Sequence, residues 1–132
     1  MDILLKYYEE LNEDVKFDQI NILEKQLMLP AIKHKWVARL IQLKKSKNDL
    51  DKKKKDLKED AFKALEDKGI PTGMPKTAIK AKIEASEQIR KIDEDIKNID
   101  ICIEYLEKVE KILSSITYDI GNATKLMVLE TT

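Results

Sequence analysis

Apolar residues fall into two long runs with helical spacing. In the first, Trp36, Leu43, Leu50 and Leu57 recur every seven residues; in the second, Ile89, Ile92, Ile96, Ile99, Ile103 and Leu106 alternate steps of three and four and continue less regularly to Ile116. Each run is the signature of a helix that buries one stripe against another helix. Between them lies Gly69-Ile70-Pro71-Thr72-Gly73-Met74-Pro75, which holds two of the three glycines and two of the three prolines and reads as a loop. At ~1.5 Å per residue a helix of about forty residues is roughly 60 Å long, and the loop turns it back on its predecessor. The pattern predicts an all-α fold: a long antiparallel helical hairpin, preceded by a short helix from Asp2 to about Leu11 that closes at Asn12-Glu13-Asp14.

Local signals set the expected boundaries. Asp18 stands in N-cap position, Pro30 removes a donor inside the helical pattern, and Gly69 ends it, which predicts a short helix over 19–29 and a long one over 30–68. The expected organisation is one helical domain over 1–132. It comprises an acidic segment 1–18, a basic helical region 19–68, a loop 69–76, a second long helix 77–117 and a C-terminal segment 118–132. Two helices sharing a narrow seam bury little area, and the apolar ends, Ile3-Leu4-Leu5 with Tyr7-Tyr8 and Leu126-Met127-Val128-Leu129, have no evident place on it. Self-association through Leu126, Met127, Val128 and Leu129 is one expectation; ends that fold back on their own hairpin are the other.

Charge changes this picture by its distribution. The chain holds 25 Lys/Arg and 25 Asp/Glu, yet from Lys25 to Lys63 there are thirteen cations against five acids, while the flanks are acidic. Such a stripe suits phosphate or another acidic surface. Many of its lysines have an acid on the same helix face: Lys45 and Lys53 with Asp49, Lys47 and Lys55 with Asp51, Lys52 with Asp56, Lys63 with Glu59. Each such pair is worth only ~0.3–0.5 kcal/mol, but it explains those residues without a ligand. Lys33, Lys35, Arg39, Lys44 and Lys58 have no acid three or four residues away. With the heptad leucines at position d, Lys33, Lys47 and Lys54 fall at a, where something anionic is needed opposite; phosphate would serve, and so would Asp93, Glu94 and Asp95. Only Trp36 and Phe62 interleave with these cations, so stacking several bases is not expected, and both read first as packing residues.

Candidate chemistry is sparse. His34 and Cys102 are the only residues of their kinds, so no zinc site, nucleophile pair or internal disulfide assembles, and no cofactor or metal is expected. Cys102 among isoleucines reads as a small buried hydrophobe. The run from Gly69 to Thr77 has the wrong spacing for a phosphate loop, and Pro71 and Pro75 lack the N–H groups such a cradle uses. Acid pairs such as Asp93/Asp95 sit on a helix already rich in acids. The longest apolar run, Leu27 to Ile32, contains Pro30 and is too short for a bilayer. With one cysteine and no positive leader before Ile3, a soluble intracellular protein without membrane or enzymatic function is expected.

Glu9-Glu10-Leu11-Asn12-Glu13-Asp14-Val15-Lys16-Phe17-Asp18, followed without a gap by Lys35-Trp36, Lys44-Lys45 and Lys54-Lys55, resembles the UvsY recombination mediators of T-even-like bacteriophages. The match is carried by residues 9–55; the second half is similar only in being helical and of like extent. The resemblance implies a protein of the phage-infected bacterial cytoplasm that binds single-stranded DNA and forms a closed homo-oligomeric ring of six or seven subunits. It implies that the protein helps a RecA-like recombinase replace the single-strand-binding protein. It also implies a role for the C-terminal segment in oligomerisation. The family's Lys-x-Arg element falls on Glu59 and Ala61 in ungapped register, with Lys58 adjacent and Lys63 one small insertion away. The expected DNA-contacting set is Lys33, Lys35, Arg39, Lys44, Lys45, Lys54, Lys55, Lys58 and Lys63. The competing reading is a helical scaffold or chaperone whose lysines merely solvate a coiled coil.

Overall fold

A computed structural model of the chain describes residues 2–69 and 75–131. They form four α-helices: α1 (Asp2–Val15), α2 (Ile22–Lys68), α3 (Lys76–Glu84) and α4 (Glu87–Thr131). The fold is all-α, as the spacing predicts. Most of the expected loop, residues 70–74, lies outside the described residues.

Several boundaries differ from expectation. The first helix continues past Leu11 to Val15, because Leu11 is buried and the Asp14 carboxylate accepts hydrogen bonds from α2. Pro30 does not divide α2, which is one helix from Ile22 to Lys68. The ring costs about 3 kcal/mol in a helix interior. Burial of Leu29, Ile32 and Trp36 around it offsets that cost. The expected helix 77–117 is two helices, parted at Ala85-Ser86: Ala85 and Ser86 close α3 on the Ala81 and Ile83 carbonyls, and the Ser86 carbonyl takes the first bond of the next helix from Arg90. That helix, α4, then runs to Thr131. Its added turns are held by Ile120, 1% exposed, packed with Ile22 and Leu29 and flanked by Phe17, Ile116, Ala123 and Met127.

Gly69 acts as read, whereas Asp18 caps the turn over 19–21 rather than the helix itself: α2 begins at Ile22, and the Asn21 carbonyl takes its first bond, from Lys25. Asp18 Oδ1 accepts the Asn21 N–H at 2.9 Å and Asn21 Oδ1 accepts the Asp18 N–H at 2.7 Å, a reciprocal cap that opens the path into α2. Gly69 follows α2 with φ +86°, the left-handed conformation that glycine adopts without strain, and its N–H bonds to the Glu66 carbonyl.

The chain divides into two compact units. One consists of the residues up to Gln42 together with those from Cys102 onward; the other is Leu43–Ile101. In the first, α1 and the start of α2 enclose a core with the latter part of α4: Leu11, Ile32, Trp36, Leu40, Cys102, Leu106, Val109 and Leu113 are buried. The N-terminal aromatics fold back into this unit, Tyr7 edge-on to Trp36 at 5.7 Å and Tyr8 edge-on to Tyr105 at 4.6 Å. In the second unit the buried residues are Ile79, Ile83, Ile89 and Ile92, while Leu43, Leu50 and Leu57 are half-buried.

Candidate nucleic-acid interface

In the Leu43–Ile101 unit the leucines turn one side of α2 toward α3 and α4, and the helical period carries some lysines inward with them. Lys47 reaches Asp100 at 2.6 Å, Lys54 reaches Asp93 at 2.5 Å and Lys58 reaches Glu84 at 3.1 Å. From Lys47 to Lys54 the chain advances seven residues while the partner retreats seven, from Asp100 to Asp93, so the helices run antiparallel in one heptad register. Of the acids anticipated opposite the a positions, Asp93 serves Lys54; Glu94 and Asp95 take no part in these pairs, and Asp100 meets Lys47 instead. Hydrogen bonding to Asp100, aided by the charges of Asp100 and Asp51, pushes the Lys47 pKa up.

The same period turns Lys45, Lys52, Lys53 and Lys55 outward. All four are exposed, and none lies within ion-pair distance of a carboxylate among the described residues. The same-helix pairs expected for them are not formed. Over residues 44–55 the exposed side chains include five lysines, counting Lys44, against Asp49 and Asp51. Further along, Asp56, Glu59 and Asp60 reverse that balance before Lys63. Lys63 is exposed and borders an open groove of about 520 Å³ with Lys58, Phe62, Lys80 and Ile83; Glu59, Glu66 and Glu84 match its lysines in number, so the groove is no anion site. The basic surface of this unit is thus a short track, about 15 Å along α2.

In the other unit three cations of α2, Lys25, Lys35 and Arg39, are bound by α1, Lys25 through the Glu13 and Asp14 carbonyls at 2.9 and 3.3 Å. Arg39 grips the Glu10 carboxylate with both guanidinium arms, Lys35 reaches Glu10 at 3.1 Å and Asp14 at 2.6 Å, and Trp36 Nε1 donates to Asp14 at 2.9 Å. The Arg39 guanidinium also lies 4.9 Å from the centre of the Trp36 ring and 5.6 Å from that of Tyr7. The hydrogen bond from Arg39 holds the Glu10 carboxyl below the usual carboxylate range, against the opposing effect of burial, and raises the Arg39 pKa in turn. Burial pushes the Tyr7 phenol up despite the nearby Arg39 charge. Lys33 is half-buried beside Trp36, Leu106 and Glu110, in a groove of about 120 Å³.

Of the nine expected DNA-contacting residues, then, Lys35, Arg39, Lys54 and Lys58 hold carboxylates of their own chain. Lys44, Lys45, Lys55 and Lys63 are exposed, and Lys33 is partly covered. Lys52 and Lys53 join the outward set although their same-helix acids had accounted for them; their angular distance from the leucine stripe was the signal that marks them. In the C-terminal segment, Met127 packs on the Ile22–Leu29–Ile120 core whereas Leu126, Val128 and Leu129 are exposed. His34 is exposed and Cys102 buried, its thiol pushed up by burial. Among the described residues no group of three or more His, Cys, Asp or Glu is placed to hold a metal ion, and no helix is long and apolar enough to cross a membrane.

No protein of curated function matches the sequence. The fold is shared with crystal structures of the bacteriophage T4 recombination mediator protein UvsY. One, in lattice type IV, superposes with TM-score 0.78 at 16% identity over 96% of this chain and 98% of that one. A second, in lattice type II, gives 0.74 at 20% identity over 98% of both chains, and a third, in lattice type I, gives 0.76 at 17% identity over 93% and 97%. Residues 10–131 match the family of the recombination, repair and ssDNA binding protein UvsY. That match extends through α2 and α4 well past the stretch in which the resemblance was first legible, and the chain belongs to the UvsY family.

Proposed function

We propose that this protein is a phage recombination mediator that binds single-stranded DNA without sequence preference and helps load a RecA-like recombinase in place of the single-strand-binding protein. The family supports the recombination role. The observation that carries the grip is the outward track of Lys45, Lys52, Lys53 and Lys55, exposed on one rigid helix and held by no carboxylate among the described residues. Ammonium groups so placed contact backbone phosphates and release counterions. With so few lysines on one copy, affinity comes from several copies in a homo-oligomer engaging one strand. The mechanism is non-covalent: the protein holds the strand for the incoming recombinase in the cytoplasm of the infected bacterium.

The scaffold reading is favoured by the number of cations spent on internal carboxylates, Lys35, Arg39, Lys47, Lys54 and Lys58. Fluorescence anisotropy with a labelled oligothymidylate at rising salt separates the two. A mediator gives affinity that falls on a log–log plot with slope about −0.7 per phosphate contacted; a scaffold gives no salt-sensitive binding at all.

A further inference from the structure

In the Leu43–Ile101 unit, Lys47 and Lys54 are set apart from the outward lysines by what lies opposite them. Their side chains keep 36% and 28% of their surface in water, and their partners Asp100 and Asp93 are each 48% exposed. The two ammonium groups thus sit at the rim of the seam between α2 and α4, not beneath it. At about 100° per residue, a turn of about 100° round α2 separates Lys54 from Lys55 of the outward track, and about 80° separates Lys47 from it. Hydrogen bonding to Asp100 raises the Lys47 pKa further above neutral, so a carboxylate, not protonation, decides whether that charge is available.

The opposing edge of α4 is of mixed sign. Arg90, Asp93, Lys97 and Asp100 recur at steps of three, four and three and form one stripe. Arg90 and Lys97 are exposed and have no carboxylate within ion-pair distance among the described residues. The rim therefore carries Lys47, Lys54, Arg90 and Lys97 around two carboxylates, and Asp93 and Asp100 are what interrupt its positive charge. A phosphate that displaced either aspartate from its lysine would leave that carboxylate unpaired beside the strand. The exchange gains little, and the tethered amine adds no counterion release.

We propose that Asp93 and Asp100 are positioning residues that hold Lys47 and Lys54 out of the DNA grip and so keep it weaker than the lysine content of α2 allows. A protein that must yield its strand to an incoming recombinase is served by a grip limited in this way. The assignment rests on the single-stranded DNA reading above and gives the seam acids a part in it.

The test is the oligothymidylate affinity of the full-length protein across a salt series. Asp93→Asn/Asp100→Asn keeps the side-chain shape and releases both amines. It should bind at least about fivefold more tightly at low salt, with a log–log slope steeper by ~0.7 for each amine that gains a phosphate. Glu87 and Glu94, exposed and one heptad apart like Asp93 and Asp100, lie on the side of α4 turned away from the seam. Glu87→Gln/Glu94→Gln makes the same change in charge and should leave the slope as it is. Adding Lys47→Met/Lys54→Met to Asp93→Asn/Asp100→Asn should return the slope to that of wild type. Circular dichroism and native mass, unchanged across the set, separate grip from folding. Should the double exchange lower helicity, Asp100→Asn alone carries the same test with half the change in slope. A wild type with no salt-sensitive binding defeats the DNA reading and this assignment together. The assignment alone is overturned if wild type binds and Asp93→Asn/Asp100→Asn keeps its slope. It is equally overturned if Glu87→Gln/Glu94→Gln reproduces the steepening, or if the steepening survives the loss of Lys47 and Lys54.

Discussion

In the unit that joins the residues up to Gln42 to those from Cys102 onward, the seven-residue repeat begins with Trp36, 2% exposed in a continuous apolar core and hydrogen-bonded to Asp14. In the Leu43–Ile101 unit the same repeat continues as Leu43, Leu50 and Leu57, only half-buried and bordered by the lysine–aspartate pairs. The first unit spends Lys25, Lys35 and Arg39 of α2 on α1 and leaves an apolar outward side; the second spends Lys47, Lys54 and Lys58 on α3 and α4 and leaves a cationic one. One helix with one period thus has two surfaces of different chemistry. What decides a lysine's availability is the element opposite it, not its neighbours three and four residues away.

The sharpest way to break this contrast is to truncate the shared repeat at each end. Trp36→Ala should cost about 3–5 kcal/mol in chemical denaturation, and Leu50→Ala, from a half-buried site, about 1–2 kcal/mol. Equal losses would mean that the two units are held alike.

Next in size is acid sensitivity. Glu10 has its folded-state pKa depressed, so its contribution is present above the unfolded carboxyl pKa of about 4.3 and is lost as pH falls through the lower folded value. Thermal denaturation from pH 6 to pH 3 should show a stability loss in the acid range that is shallower in Glu10→Gln, which is already less stable at pH 6. The Glu10 carboxylate is itself 37% exposed, so solvent screening keeps its effect modest.

The smallest effect is expected at Lys54, whose partner Asp93 is 48% exposed. Lys54→Met should change stability by under about 1 kcal/mol, since a half-solvated ion pair contributes little and an apolar side chain suits the a position. A loss of several kcal/mol would place that pair among the main supports of the unit.

Much of the fold was legible in periodicity. The isoleucine stripe buries Ile89, Ile92, Ile103 and Leu106 as spaced, and Gly69 ends α2, whereas Asp18 caps only the turn before that helix. The break at Ala85-Ser86 was not, because neither residue is a strong breaker; the three-four rhythm of the isoleucines begins only after it, at Ile89, six residues beyond Ile83. Pro30 misled because a local propensity cost of a few kcal/mol yields to the burial of its neighbours. The candidate site was legible in composition but not residue by residue. Counting acids along one helix marked Lys35, Arg39 and Lys58 as unmatched, whereas Glu10, Asp14 and Glu84 arrive from other helices. The same count set aside Lys52 and Lys53, which extend to solvent beside acids they do not bind.

The division between inward and outward lysines is tested most directly by oligothymidylate affinity at several salt concentrations for Lys45→Ala/Lys52→Ala/Lys53→Ala/Lys55→Ala against Lys47→Met/Lys54→Met, with oligomer mass monitored. The outward variant should lose at least about tenfold in affinity at low salt and show a flatter salt slope, by ~0.7 for each phosphate contact removed, at unchanged mass. The inward variant should bind as wild type does. Retained affinity in the outward variant, or a comparable loss in the inward one, would contradict the assignment of the DNA grip to the outward face of α2.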